Sequence, residues 1–153
     1  MGFFDKLKGA VSAVTGSAAT VTIEFNPRVG FPGEALGVRI TATSKAAIKS
    51  DGVFVDIKGI EEIRLHKRDS QLLTDDVSIN RSTHEQSFQI AGPFTMDANQ
   101  TQQWEGQIQF PPNAQPTFDG SICDHGWGIR GRVAMFGNDP DSGFVPIRVG
   151  LRQ

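Results

Sequence analysis

The sequence predicts an all-β fold, an antiparallel β-sandwich of seven or eight strands in the immunoglobulin-like manner. Three observations carry this. From Thr20 onward apolar residues recur at every second position. Turn residues break that rhythm at short intervals. No second helical pattern separates the strands, and a parallel α/β fold would need one between each pair.

The elements follow in order. "TVTIEF" sets Val21, Ile23 and Phe25 against Thr22 and Glu24, and Asn26-Pro27 ends it. "EALGVRITATS" alternates Leu36, Val38, Ile40 and Ala42 with Arg39, Thr41 and Thr43. "GVFVDIKG" points Val53, Val55 and Ile57 inward, opposite Asp56 and Lys58. After Gly59 the phase slips, because Ile60 has one parity and Ile63 and Leu65 the other; a bulge or break is expected near Glu61-Glu62. "HEQSFQIAGPF" offers Phe88 and Ile90 before Gly92-Pro93. "QWEGQIQF" is the clearest strand, with Trp104, Gly106, Ile108 and Phe110 on one face. "WGIRGRVAMF" places Trp127, Ile129, Gly131, Val133 and Met135 inward, and "GFVPIRVGL" supplies Val145, Ile147, Val149 and Leu151. Pro146, on the opposite parity, marks an edge or a bulge. Both tryptophans have inward parity and read as core anchors.

Composition sets the outer bounds. A chain of 153 residues is one domain by length, and 38% hydrophobic with 21% charged residues suits a folded core. A net charge of -2 provides no field for nucleic acid. Cys123 is the single cysteine, so no internal disulfide forms and a reducing, cytoplasmic setting is expected.

Residues 1–19 stand apart from the sandwich domain expected over 20–153. In "MGFFDKLKGAVSAVTGSAA", Phe3, Phe4, Leu7, Ala10, Val11 and Val14 share an arc of roughly 120° on a helical wheel. Asp5, Lys6 and Lys8 fill the other face and exclude a signal peptide core. The segment reads as a short amphipathic helix with two destinations. It packs on its own domain, or Phe3, Phe4, Leu7 and Val11 enter a membrane interface or a partner's groove. Two lysines give weak attraction to anionic lipid, so a membrane contact would be peripheral and reversible at the inner face.

"VGFPGEALGVRI" at 29–40, "GVFVDIKGIE" at 52–61 and "QFPPNAQPTFDGS" at 109–121 leading into "WGIRGRVAM" resemble the N-terminal half of the arrestin-like superfamily. The apolar Phe-Phe opening is similar to that of its bacterial sporulation-control members. The resemblance implies a single arrestin-like sandwich that acts without catalysis or cofactor, an adaptor, scaffold or regulator whose edges and loops bind other proteins. The charged core and phosphate sensor of visual arrestins have no counterparts in the sequence.

Chemistry-bearing residues are sparse. Tyrosine is absent, and no phosphate-cradling glycine loop or triad is legible. Cys123 and His125 stand two apart, but a structural zinc site wants four ligands, and only His66 and His84 remain to help. Asp139 and Asp141 in "GNDPDSG" lack calcium-loop spacing and read as a turn. The stretch Lys67 to Thr83 is long for a connection, so it is either an insertion hiding an edge strand or a binding loop centred on Leu72, Leu73, Asp75 and Asp76. Arg39, Arg130, Arg132 and Arg148 have outward parity, and strand order decides whether they meet. "QFPPNAQPTFDG" is read as a rigid crossover between sheets, since Pro111 and Pro112 cannot donate to a ladder. The expected partners are proteins. Self-association by edge or face pairing, as a subunit of a larger bacterial assembly, is the alternative.

Overall fold

The computed structural model describes residues 18–152, so the helix expected over 1–19 lies, but for its last two residues, outside them. The strands in chain order are β1 (Ala19–Asn26), β2 (Val29–Gly30), β3 (Ala35–Ser44), β4 (Ile48–Ser50), β5 (Gly52–Leu65), β6 (Val77–Ala91), β7 (Phe94–Met96), β8 (Thr101–Gln109), β9 (Phe118–Asp119), β10 (Cys123–Ala134) and β11 (Val145–Val149). Seven of them have five residues or more, which matches the alternation in the sequence.

Two sheets make the sandwich. One has three antiparallel strands in the order β1-β3-β8. The other runs β2-β11-β10-β5-β6, with β9 pairing at Asp124 and His125, a stretch of β10 that β11 does not reach. A small β4-β7 pair closes one end over Ala19, Ile48 and Met96. Pro146 pairs with Gly128 on β10, while β2 meets β11 only at Arg148 and Val149, so its missing N–H falls at an open edge as expected.

Alternate residues of the two sheets fill one core. Val21, Leu36, Val38, Ile40, Ala42 and Ile108 come from the three-stranded side, and Val53, Val55, Ile57, Trp127, Ile129, Val133, Ile147 and Val149 from the other. Each such side chain contributes roughly 1.5–3 kcal/mol when fully buried. Trp127 lies edge-on to Phe110 at 5.3 Å. Trp104 is only half-buried and packs on Phe94 at the sandwich end.

The expected break near Glu61-Glu62 is corrected. β5 runs unbroken to Leu65, in continuous register with β10 from Gly52↔Ala134 to Ile63↔Cys123. Ile60 simply faces outward; the inward set Val53, Val55, Ile57, Ile63 and Leu65 keeps one parity. The irregularity lies on the partner strand, where Gly59 pairs with His84 and Ile60 with Ser82, leaving Thr83 as the extra residue. A second register shift falls between Val53 and Phe54 and skips Ile90.

The Pro-rich segment is the crossover that the sequence suggested, held by specific bonds. Trp127 Nε1–H donates to the Gln115 carbonyl at 2.7 Å, and Thr117 exchanges bonds with Val149. Gly33 N–H reaches the carbonyls of Phe110 and Pro111. The segment thus lies as a strap across the open end of the core beside Trp127.

Close approach, rather than turn geometry, explains Gly30. A β-carbon there would stand 2.5 Å from the fully buried Phe110 ring. The ring has no free space to retreat into, so Gly30→Ala is expected to cost about 2–3 kcal/mol through overpacking, measured by denaturant unfolding.

Candidate functional site

A cleft of about 580 Å3 opens on the outward face of β5, β6 and β10 beneath the 137–144 loop. Strand alternation places its key groups. Asp56 on β5 sits directly opposite Arg130 on β10 and Ser87 on β6. Its carboxylate is almost fully buried and accepts from four donors: Arg130 Nε at 3.0 Å and Nη2 at 2.8 Å, Arg132 Nε at 2.9 Å, and the Ser87 hydroxyl at 2.6 Å. Burial pushes the Asp56 carboxyl up, but Ser87 and the two guanidiniums outweigh it, and the group lies below its ordinary range.

Aromatic faces fix the arginines. Arg130 lies over Phe144 at 4.5 Å and Arg132 over Phe54 at 4.7 Å. Asp139 pairs with Arg132 at 3.2 Å and accepts the Met135 N–H. Asp141 accepts the Gly143 N–H, so both acids of "GNDPDSG" organise the turn, as the sequence suggested. Lys58 and Glu85 pair across the rim at 2.9 Å. Each positive group here has a carboxylate partner, and the cleft carries no net positive field. Its chemistry is bracing: one carboxylate ties three strands together.

A second polar cluster lies inside. His125 is fully buried, with Nδ1 at 3.1 Å from the Pro116 carbonyl and Nε2 at 2.7 Å from the Thr83 hydroxyl. A carbonyl only accepts, so Nδ1 carries the proton and Nε2 accepts from Thr83. Burial lowers the pKa of His125 below its ordinary value, against smaller opposing effects of Pro116 and Glu61. Both ring nitrogens are occupied in holding the strap and the Thr83 bulge. Cys123 shares the inward face of β10 with His125, and Asp124 faces outward to Arg64 at 2.6 Å and to the Gly120 N–H. His66 lies apart beside Asp76. Among the described residues no three His, Cys, Asp or Glu side chains converge.

The sequence-predicted candidates are scattered. Phe3, Phe4, Leu7 and Val11 lie outside the described residues. Leu72, Leu73, Asp75 and Asp76 occupy the loop between a short 3-10 turn (Lys67–Asp69) and β6, with Leu72 93% exposed. Asp76 accepts the Lys67 N–H and closes that loop. Of the four outward arginines only Arg130 and Arg132 meet. Arg39 pairs with Glu105 and Glu24 on the other sheet, and Arg148 stays exposed on β11. Asp56 and Ser87 were not singled out by the sequence, since their role depends on the register of β5 with two partners.

The fold has a solved counterpart. Spo0M, the sporulation control protein from Bacillus subtilis, superposes with a TM-score of 0.62 at 19% identity, over 89% of this chain. This chain has the arrestin-like fold. It spans 51% of the Spo0M chain, about half its length. No protein-family model matches the sequence, and no curated protein matches it. Among the described residues no helix is long and apolar enough to cross a membrane.

Two outcomes are expected. Asp56→Asn removes the charge that holds two partly buried guanidiniums and should cost about 2–3 kcal/mol by denaturant unfolding, less than a fully buried pair. For His125, the ordinary pKa is 6.5 and the folded value lies lower. The unfolded chain therefore takes up this proton first as pH falls. Stability contributed by the neutral ring is complete above pH 6.5 and declines below it, levelling off once the folded pKa is passed. Melting curves from pH 7.5 to 5 should show that decline in the native chain and lose it in His125→Phe.

Proposed function

We propose that this chain is a non-catalytic interaction module of arrestin-like type, a scaffold or regulator that binds a protein partner. One observation carries the reading: the polar groups suited to chemistry are spent on structure, while long strand edges are left open. Asp56, Arg130, Arg132 and Ser87 brace one another, and His125 uses both ring nitrogens. β1 and β8 end one sheet and β6 ends the other, with no further strand beside them among the described residues. Open edges and adjoining loops are what strand-adding partners recognise. The likeness to Spo0M, a sporulation control protein, supports regulation over turnover.

Two surfaces belong to this reading. The exposed loop bearing Leu72, Leu73, Asp75 and Asp76 is a binding loop, and Phe3, Phe4, Leu7 and Val11 provide a weak, reversible contact with the inner face of a membrane. A cytoplasmic setting suits the single thiol of Cys123.

Affinity capture with the full chain and with Leu72→Asp/Leu73→Asp tests the module. A partner retained by the native chain and lost by the loop variant is the expected result. Turnover of ester, phosphoester or peptide substrates by the purified chain would overturn the non-catalytic reading. Flotation with anionic vesicles should carry the full chain at low salt and leave behind a chain starting at Thr20; equal behaviour removes the membrane contact.

A further inference from the structure

The two sheets differ in length, and the difference leaves a surface that no other described residue covers. Trp127, Ile129, Val133, Val53, Val55 and Ile57 are buried beneath the three-stranded sheet. Beyond Gly59 the β5-β6 hairpin continues for six more paired residues on each strand. Its inward face there carries Ile63, Leu65, Val77 and Ile79, none of which belongs to the core of the described residues or packs against it. Ile79 is 53% exposed. Among the described residues the same strand, β6, is the free edge of its sheet along all fifteen residues. An open edge beside an uncovered apolar overhang is a place for a further strand.

We propose that β6 pairs antiparallel with β6 of a second copy of this chain, about a two-fold axis between Thr83 and His84. This goes beyond the general reading as an interaction module by naming the occupant of one edge.

The bulge selects both the occupant and the register. In a regular strand, inward residues keep one parity throughout. Here Thr83 and His84 both oppose Gly59, so inward residues are odd before the bulge (Val77, Ile79, Arg81) and even after it (Gln86, Phe88, Ile90). The ring of His84 against Trp127, the Thr83 bond to His125 and the packing of Ile90 on Gly106 fix those orientations. A two-fold pairing must set inward residues against inward residues. On this strand that means placing the first half of one copy against the second half of the other.

With the axis between Thr83 and His84, Val77 meets Ile90 of the second copy and Ile79 meets its Phe88. Arg81 faces Gln86. On the outward face Ser78 meets Gln89, Asn80 meets Ser87 and Ser82 meets Glu85. Apolar side chains face apolar ones, and no like charges are opposed. Moving the axis by one residue in either direction keeps one apolar pair and sets Ile79 against Gln86, or Phe88 against Arg81.

The pairing also supplies the missing layer. Ile90 on β6 packs beneath Gly106 on β8, so the edge of the three-stranded sheet lies directly above this half of the strand. In the paired molecule the overhang of one copy runs alongside that half of the other and lies next to its β8 edge. Val77 to Ile90 extends roughly 45 Å, and a strip about 10 Å thick removes roughly 450 Å2 per copy before the overhang is counted. Such an area is small for a stable protein interface, so the dimer is expected to be concentration-dependent.

Sedimentation velocity on the full chain from low to high micromolar concentration tests the association. The expected result is a monomer-to-dimer shift in the native chain that is lost in Ile79→Lys and kept in Leu72→Lys. Melting curves confirm that both variants fold. The register is tested in a Cys123→Ser background by mixing a Ser78→Cys chain with a Gln89→Cys chain under mild oxidation. That mixture should form a disulfide-linked dimer, whereas Ser78→Cys mixed with Ser87→Cys should not. A chain that stays at 16.6 kDa throughout overturns the proposal. So does a dimer that survives Ile79→Lys, or cross-linking confined to the Ser87 mixture. None of these outcomes bears on partner capture by the Leu72 loop, so the two readings fail separately.

Discussion

Trp127 is the point at which three parts of the molecule are tied together. Its indole lies edge-on to Phe110, the residue with which the three-stranded side hands the chain over to the crossover. Its N–H holds the crossover itself at Gln115, and His125 two residues earlier holds the same segment at Pro116. The strap from Pro111 to Thr117 is fastened at its far end by the Thr117–Val149 bonds, and the indole and imidazole hold its middle over the end of the core. Prolines suit this position because a strap needs an extended path and few donors rather than ladder pairing. The glycines opposite are part of the same arrangement. Gly59 leaves room for the indole and for Thr83, and Gly30 leaves room for the Phe110 ring.

Polar residues divide along the same architecture. On the outward face of the long sheet, Asp56 binds β10 and β6 to β5 through charge-assisted hydrogen bonds, held in place by two cation–π contacts. On the inward face His125 is neutral and joined to a hydroxyl and a carbonyl. Each is a small, satisfied network at a site where an unpaired group would be expensive. An arrangement of this kind rigidifies a frame, and a rigid frame suits recognition by its edges.

Most strands were legible because alternation survives wherever one face is buried. β1, β3, β8 and β10 stand where Val21, Leu36, Ile108 and Ile129 place them. The first half of β6 is the edge strand that the stretch 67–83 was expected to hide, but its bounds escaped for the same physical reason. It lies beyond the three-stranded sheet, so Ser78, Asn80 and Ser82 are exposed on one face and Ile79 and Arg81 on the other, and no alternation marks the strand. The supposed slip after Gly59 came from Ile60, an apolar residue on an outward face. The Asp56 cluster could not be read from local pattern at all, because it joins residues more than thirty and more than seventy positions apart. Only the register of β5 with two neighbours brings them together.

The bulge at Thr83 serves two geometries at once. Within the domain it turns the Thr83 hydroxyl toward His125 and lets the His84 ring reach Trp127, so both residues of the bulge face the core. That doubling is what changes the parity of the strand. An edge bulge ordinarily twists a strand away from neighbours and guards against pairing. It guards against pairing with a regular strand, whose side chains would alternate out of step with one half of β6. A strand with the same interruption, read in the opposite direction, stays in step on both sides. The constraint that excludes most partners therefore leaves a copy of the same strand as one that fits.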